Sequence, residues 1–249
     1  MKTIAFNLQK GGTGKTTLAV QTAENLSQSG KTCLIDFDPQ GSATDQYTAA
    51  EYDHELADYF IDGKITVHDI TLRNPDFDFD ILPTARRGNL ADIKGKITAG
   101  MIADLLKDLA AIGYDFCVLD TPPEMGGYIG AILANVNEVV TPILPANFSI
   151  NGIKIFIETA DRAKKENPGL RFDKIILNNY NRSKAKDIYF LENLPAFFST
   201  FKIYNIPTST KWDMAQSAHK PLYRPQEQTP RGLETTTQEL SRLANDIKQ

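Results

Sequence analysis

The most constraining stretch of this chain is residues 10–17, Lys-Gly-Gly-Thr-Gly-Lys-Thr-Thr, set between a short apolar run at 3–7 and a helix-length stretch at 15–29. Gly11, Gly12 and Gly14 let the backbone turn tightly, so that successive N–H groups point into one arc, and the helix start behind them adds its own unpaired donors. A strand, a glycine turn and a helix in that order make a cradle for an anion. Lys15 has the reach for the β- and γ-phosphates of a bound triphosphate. The Thr16 hydroxyl is placed to ligate Mg²⁺, and Thr17 to donate towards the α-phosphate.

Such a loop demands a strand-to-helix junction, and the rest of the chain repeats that alternation. Strand-like runs at 3–7, 32–37, 79–82, 116–120, 138–143 and 174–178 are separated by amphipathic stretches at 99–112, 129–135, 150–166, 185–198, 212–218 and 233–248. Strands joined through helices pair in parallel by right-handed crossovers, and ligands bind outside their carboxyl ends. The expected fold is therefore α/β, a doubly wound, mostly parallel sheet flanked by helices. At 249 residues and 41% apolar content, one domain over 1–249 is expected. No run is long and apolar enough for a membrane span and no cleavable signal opens the chain, so a cytoplasmic protein is expected. Cys33 and Cys117 fall inside strand-like runs and read as small core residues, while His54, His68 and His219 are scattered, so zinc has no support. The Pro- and Gln-rich stretch at 220–230 reads as an ordered surface loop in preference to a partner contact.

Carboxylates stand at two strand ends. The second strand closes on Asp-Phe-Asp-Pro-Gln-Gly, and period-2 spacing aims Asp36 and Asp38 to one side, towards the phosphates. The fourth closes on Leu-Asp-Thr-Pro-Pro, giving Asp120 as a Mg²⁺ contact, direct or through water. A later run, Ile-Ile-Leu-Asn-Asn-Tyr, ends with Asn178 and Asn179, either of which has the donor and acceptor to pair with an adenine edge.

A strict phosphate loop would carry Gly at position 9; this chain has Gln9 followed by Lys10. That departure resembles the deviant Walker box of the ParA/MinD superfamily of P-loop ATPases. The resemblance continues through 36–44, 115–123, 139–153, 175–184 and 206–221 in order, and is weak at 47–82 and 189–201. It implies a P-loop NTPase fold and an ATP hydrolase. Lys10 would act across an ATP-sandwich homodimer, Asp38 would position the attacking water with Asp36 in support, and Asp120 would serve as the Walker B carboxylate. Gly126 and Gly127 would give a second switch its freedom. Asn178 would read the base, bordered by Pro207 and Ser209. No Asn-Lys-x-Asp motif is present, which favours ATP over GTP.

The resemblance further implies non-specific DNA binding in the ATP state, nucleoid association, and an adaptor of the ParB or cargo type that stimulates hydrolysis. A plasmid, a chromosome or a protein organelle such as a carboxysome would be the cargo. Charge allows a DNA-facing half, although solvated surface helices also produce an imbalance of this size: residues 1–150 carry 11 basic and 20 acidic side chains, residues 151–249 carry 16 and 11. Arg182, Lys184, Lys186, Lys202, Lys211 and Arg231 are the candidate DNA contacts. With the first strand beginning by Thr3, no helix-turn-helix is expected ahead of the loop. The alternative is a MinD-like membrane-positioning ATPase. The ending Ser-Arg-Leu-Ala-Asn-Asp-Ile-Lys-Gln has no aromatic anchor for that role, and stable membrane insertion is not expected. An iron–sulfur electron-transfer ATPase needs cysteines outside strands, and a small-molecule kinase needs an arginine-rich lid; neither is evident.

Overall fold

The computed structural model describes residues 1–84, 89–123, 127–145 and 150–249. Seven strands, β1 (Lys2–Phe6), β2 (Thr32–Asp36), β3 (Asp80–Leu82), β4 (Phe116–Asp120), β5 (Glu138–Ile143), β6 (Arg171–Tyr180) and β7 (Lys202–Pro207), form one sheet in the order β3-β2-β4-β1-β5-β6-β7. Every strand pair in it is parallel. The sheet is doubly wound as expected, and its parallel strands are apolar on both faces because helices cover both.

Alternate residues sort to the two faces. Ala5, Cys33, Ile35, Cys117, Leu119 and Ile175 face a core closed by α3 (Leu56–Ile61), α4 (Val67–Ile70), α6 (Ala99–Ala111), α7 (Gly127–Leu133), α8 (Ile150–Glu166) and α9 (Ala185–Phe197). Ile4, Phe6, Leu34, Val118 and Ile176 face the other, closed by α1 (Lys15–Ser27), α2 (Ser42–Tyr47) and α11 (Glu234–Lys248). The helix after β1 thus lies on one face, and those after its neighbours β4 and β5 on the other. A crevice opens at the carboxyl end of β1, where the glycine loop sits.

Three features differ from expectation. β7 is not evident as a strand in the sequence: Lys-Ile-Tyr-Asn-Ile-Pro alternates only partly, and it is an edge strand with a half-exposed face. The segment between β2 and α6 folds into α2, α3, α4 and α5 (Asn89–Ile93), which are too short to show helical periodicity in sequence. α10 (Lys211–Ser217) follows β7, and the 220–230 loop after it is docked rather than merely superficial. There Gln21 of α1 accepts from Leu222 N at 2.8 Å and donates to Tyr223 O at 2.9 Å, while Asn25 donates to the Tyr223 hydroxyl at 2.8 Å. The two cysteines are free, fully buried, and in register across β2 and β4.

At the sheet's amino edge Glu138 is wholly buried against the equally buried Lys174 at 2.7 Å, with Lys2 and Arg171 at 2.9 and 3.0 Å. This cluster joins the starts of β1, β5 and β6, far from the crevice.

Candidate functional site

The crevice begins with glycine geometry. Gly12 and Gly14 have φ of +70° and +87°, conformations that glycine adopts without steric cost. Gly14 also meets a neighbour: a Cβ there would lie 2.3 Å from Asn178 Nδ2. That amide donates to Thr13 O at 2.9 Å, so the end of β6 is latched directly onto the loop. Behind the loop, α1 starts on Gly14 with no side-chain cap and no acidic residue in its first turn. Its amino-terminal donors and dipole therefore stay available to an anion.

Lys15 is folded back over the loop, donating from Nζ to Lys10 O at 3.1 Å, and is almost fully buried. Burial lowers its pKa, while the charges of Asp120 and Asp38 act the other way. Lys10 itself is exposed at the surface.

Register across β2 and β4 sets Asp36 beside Asp120, both fully buried. Their surroundings differ. Asp36 accepts from Thr44 N (2.9 Å), the Thr44 hydroxyl (2.8 Å) and Asp38 N (3.1 Å), so it holds the turn into α2 in place. Thr84 adds to that clamp, its hydroxyl donating to Asp36 O at 2.6 Å. Burial pushes Asp36 up to about 7 against these stabilising bonds. Asp120 has neither oxygen hydrogen-bonded. Burial and the neighbouring Asp36 charge push it well above the usual range; the nearby Thr16 hydroxyl favours the carboxylate without reaching hydrogen-bond geometry. A buried carboxylate with no partner is costly unless a cation meets it. Among the described residues no group of three or more His, Cys, Asp or Glu is placed to hold a metal. The donor set of one carboxylate and one hydroxyl suits Mg²⁺, which keeps waters and takes the rest of its shell from phosphate oxygens.

Strand spacing does not set Asp38 relative to Asp36. β2 ends at Asp36, so the period-2 rule stops there. Asp38 lies on the following turn, partly exposed, with Oδ1 accepting from Gln40 N at 3.0 Å. Two further bonds tie this turn to the sheet and to the segment after β4: Phe37 N donates to Asp120 O at 2.9 Å, and the Tyr128 hydroxyl of α7 donates to Phe37 O at 2.8 Å. Gly127 opens α7, and Gly126 lies outside the described residues.

Beside the loop is a cavity of about 320 Å³ lined by Gly12, Gly14 and Thr17 on one side and by Asn178, Asn179 and Ser209 on another. A register shift at the end of β6 and the positive φ of Asn179 (55°) bring both asparagines to its wall. Pro207 ends β7 and does not line the cavity, whereas Thr208 does. Sequence reasoning missed the contribution of α10: Trp212, Asp213 and Gln216 complete the lining, and Gln216 donates to the Thr17 hydroxyl at 2.6 Å. That leaves the Thr17 proton free to point elsewhere. The 212–218 stretch was legible as a helix; nothing in its sequence said which strand end it would face.

The basic candidates do not form one patch. Arg182, Lys184 and Lys186 follow the carboxyl end of β6, with Arg182 over the Tyr180 ring at 5.9 Å. Lys211 donates from Nζ to Arg231 O, which pairs those two near the cavity. Lys202 lies at the opposite edge, in register with Lys174, and is bonded to Asp246 at 2.7 Å. It cannot act with the others on one ligand surface.

A glycine-cradled helix start at the switch point of a parallel sheet, faced by two strand-end carboxylates, defines a P-loop NTPase. Residues 1–172 match the AAA_31 family, an AAA domain. The chain is 30% identical over 185 residues to a ParA family protein of Mycoplasma pneumoniae, covering 68% of this chain and 67% of that one. It is 28% identical over 237 residues to the chromosome-partitioning ATPase Soj of Treponema pallidum, covering 89% and 88%. The septum site-determining protein MinD of Pyrococcus horikoshii, solved with Mg-ADP, shares the fold at a TM-score of 0.78 and 20% identity over 100% of this chain and 96% of that one. The chain belongs to the ParA/MinD-type family of P-loop ATPases.

Proposed function

We propose that this protein is a Mg²⁺-dependent ATPase that positions or segregates a cargo by cycling between an ATP-bound homodimer on DNA and a released form. The observation that carries the ATPase reading is the unpartnered, buried Asp120 beside Thr16 and Lys15 at the foot of an uncapped helix start. These charges balance when a polyphosphate and its Mg²⁺ fill the crevice. Mg²⁺ would be held through Thr16 and Asp120 and would neutralise charge on the phosphate oxygens.

The chain's own groups divide the remaining work. The N–H groups of Gly11, Gly12, Thr13 and Gly14 cradle the phosphates, and Lys15 swings from Lys10 O to the β- and γ-oxygens. Thr17 keeps its proton for the α-phosphate. Asn178, already bound to Thr13 O, and Asn179 face the adenine, with Ser209 and Trp212 across the cavity. Asp38, partly exposed on its turn, orients the attacking water, while Asp36 fixes that turn through Thr44. Lys10 reaches the partner subunit's phosphates. The Asp120–Phe37–Tyr128 contacts link the two segments flanking the γ-phosphate position, so occupancy there can shift both together.

The kinship with a chromosome-partitioning ATPase supports DNA as the matrix and an adaptor as the stimulator. Arg182, Lys184, Lys186, Lys211 and Arg231 are the proposed phosphate contacts. The apolar face of α11, with Leu240, Leu243 and Ile247, is buried, which speaks against a membrane-binding role for it. No helix among the described residues is long and apolar enough to cross a membrane. The test is binding to random-sequence DNA over a range of salt with ATP and with ADP. Binding should require ATP and weaken with salt, and each basic residue neutralised should flatten the slope by roughly 1. Absence of binding with ATP at low salt would remove DNA from this account.

A further inference from the structure

The sheet face that carries α3, α4 and α6 has a groove of about 510 Å³, remote from the nucleotide crevice. Phe60, Ile65, Met101 and Ile112 give it an apolar floor, and Asp104 and Asp108 stand on its α6 wall. Those two aspartates are four residues apart, so they share one helix face about 6 Å apart along its axis and repel each other. Asp108 accepts from the Tyr59 hydroxyl at 2.8 Å, and among the described residues no cation pairs with either carboxylate. An apolar floor beside an uncompensated acidic pair fits an apolar helix face that carries its own cations.

The chain presents such a face. On α9, Lys186, Tyr189, Asn193 and Phe197 fall on one stripe at helical spacing, with Lys184 at the amino cap and Glu192 on the adjacent stripe. Tyr189 is 63% exposed and Phe197 44% exposed, two aromatic side chains about 12 Å apart along the axis that the fold leaves in solvent. Both surfaces belong to the same side of the sheet. The groove sits by the β3–β2 end and α9 by the β6–β7 end, so one chain cannot fill its own groove.

We propose that the groove receives α9 of a second copy of this chain, with Tyr189 and Phe197 on the apolar floor and Lys184 and Lys186 against Asp104 and Asp108. The contact is heterologous: each docked copy leaves its own groove open, so assembly extends head to tail rather than closing on a pair. It uses neither Lys10 nor the phosphate loop and needs no nucleotide, so it stands or falls separately from the ATP-sandwich dimer. A contact of this size is weak and depends on protein concentration.

The test is sedimentation velocity of the nucleotide-free protein over a wide concentration range. Wild type should sediment progressively faster as concentration rises. Asp104→Lys/Asp108→Lys and Lys184→Glu/Lys186→Glu should each stay monomeric, and Tyr189→Ser should weaken association by about tenfold or more. All five positions are exposed, so thermal melting should leave each variant folded. An equimolar mixture of the two charge-reversed proteins should regain association, because every α9 then finds a groove of opposite charge. A mixture that stays monomeric overturns the proposal, as does wild type that is monomeric throughout. So does self-association that either reversal leaves intact, which would place the interface elsewhere or leave the groove to a different protein.

Discussion

Replacing Gly14 by Ala probes the latch between the glycine loop and β6. Two costs are separable. An L-residue at φ +87° gives up about 1–2 kcal/mol. The new Cβ would also stand 2.3 Å from Asn178 Nδ2, so the amide must swing away and abandon Thr13 O, which costs about 0.5–1.5 kcal/mol more. Gly14→Ala should therefore lose about 1.5–3.5 kcal/mol of stability in urea unfolding. In an Asn178→Ala background the second cost has already been incurred, and the same substitution should lose only about 1–2 kcal/mol. Trp212, the only tryptophan and a cavity-lining residue, reports the functional side: titration with ATP should change its emission in wild type and need much more nucleotide in Gly14→Ala. Equal losses in both backgrounds would refute the steric part of this reasoning, and a loss below about 0.5 kcal/mol would refute all of it.

Asp120→Asn should stabilise the nucleotide-free protein near neutral pH, because it removes the cost of ionising a buried carboxyl that has no hydrogen-bond partner, while abolishing Mg²⁺-dependent nucleotide binding; melting curves and the Trp212 titration measure the two effects. Glu24, buried on α1 with Oε2 accepting from Asp78 N at 3.0 Å, is raised by burial to about 7. A carboxyl whose folded pKa is raised binds its proton more tightly when folded, so its contribution is complete below about 4.5 and is lost as pH climbs through about 7. Glu24→Gln keeps an acceptor for Asp78 N and should flatten the fall in stability across that window, seen as a smaller change in urea midpoint.

Much of the site was legible because its residues sit where strands stop. Gly11 to Thr17, Asp36 and Asp120 are fixed by a local rule, a strand followed by a turn, and the register of β2 with β4 then brings the two carboxylates together. What escaped depends on contacts distant in sequence. Gln216 reaches Thr17 across 199 residues, and Trp212 lines the same cavity as the loop because β7 adds to the sheet beside β6. The need for glycine at 14 likewise looks like loop flexibility until Asn178 is seen above it. Spacing alone pairs Asp36 with Asp38, because it counts residues and does not show where β2 ends. Lys202 joined the basic candidates through charge alone, whereas its place beside Asp246 is set by the docking of α11 on β7.

Gln9-Lys10, the departure at the head of the glycine loop, is proposed to make the dimer the active form. The direct measurement is the mass of the protein in solution with ATP and with ADP, alongside its turnover, for wild type and Lys10→Ala. Wild type should dimerise with ATP and return to its ADP mass as hydrolysis proceeds, and Lys10→Ala should bind ATP yet neither dimerise nor turn over. A Lys10→Ala protein that dimerises and hydrolyses like wild type, or a wild-type monomer that hydrolyses ATP at full rate, would contradict the account.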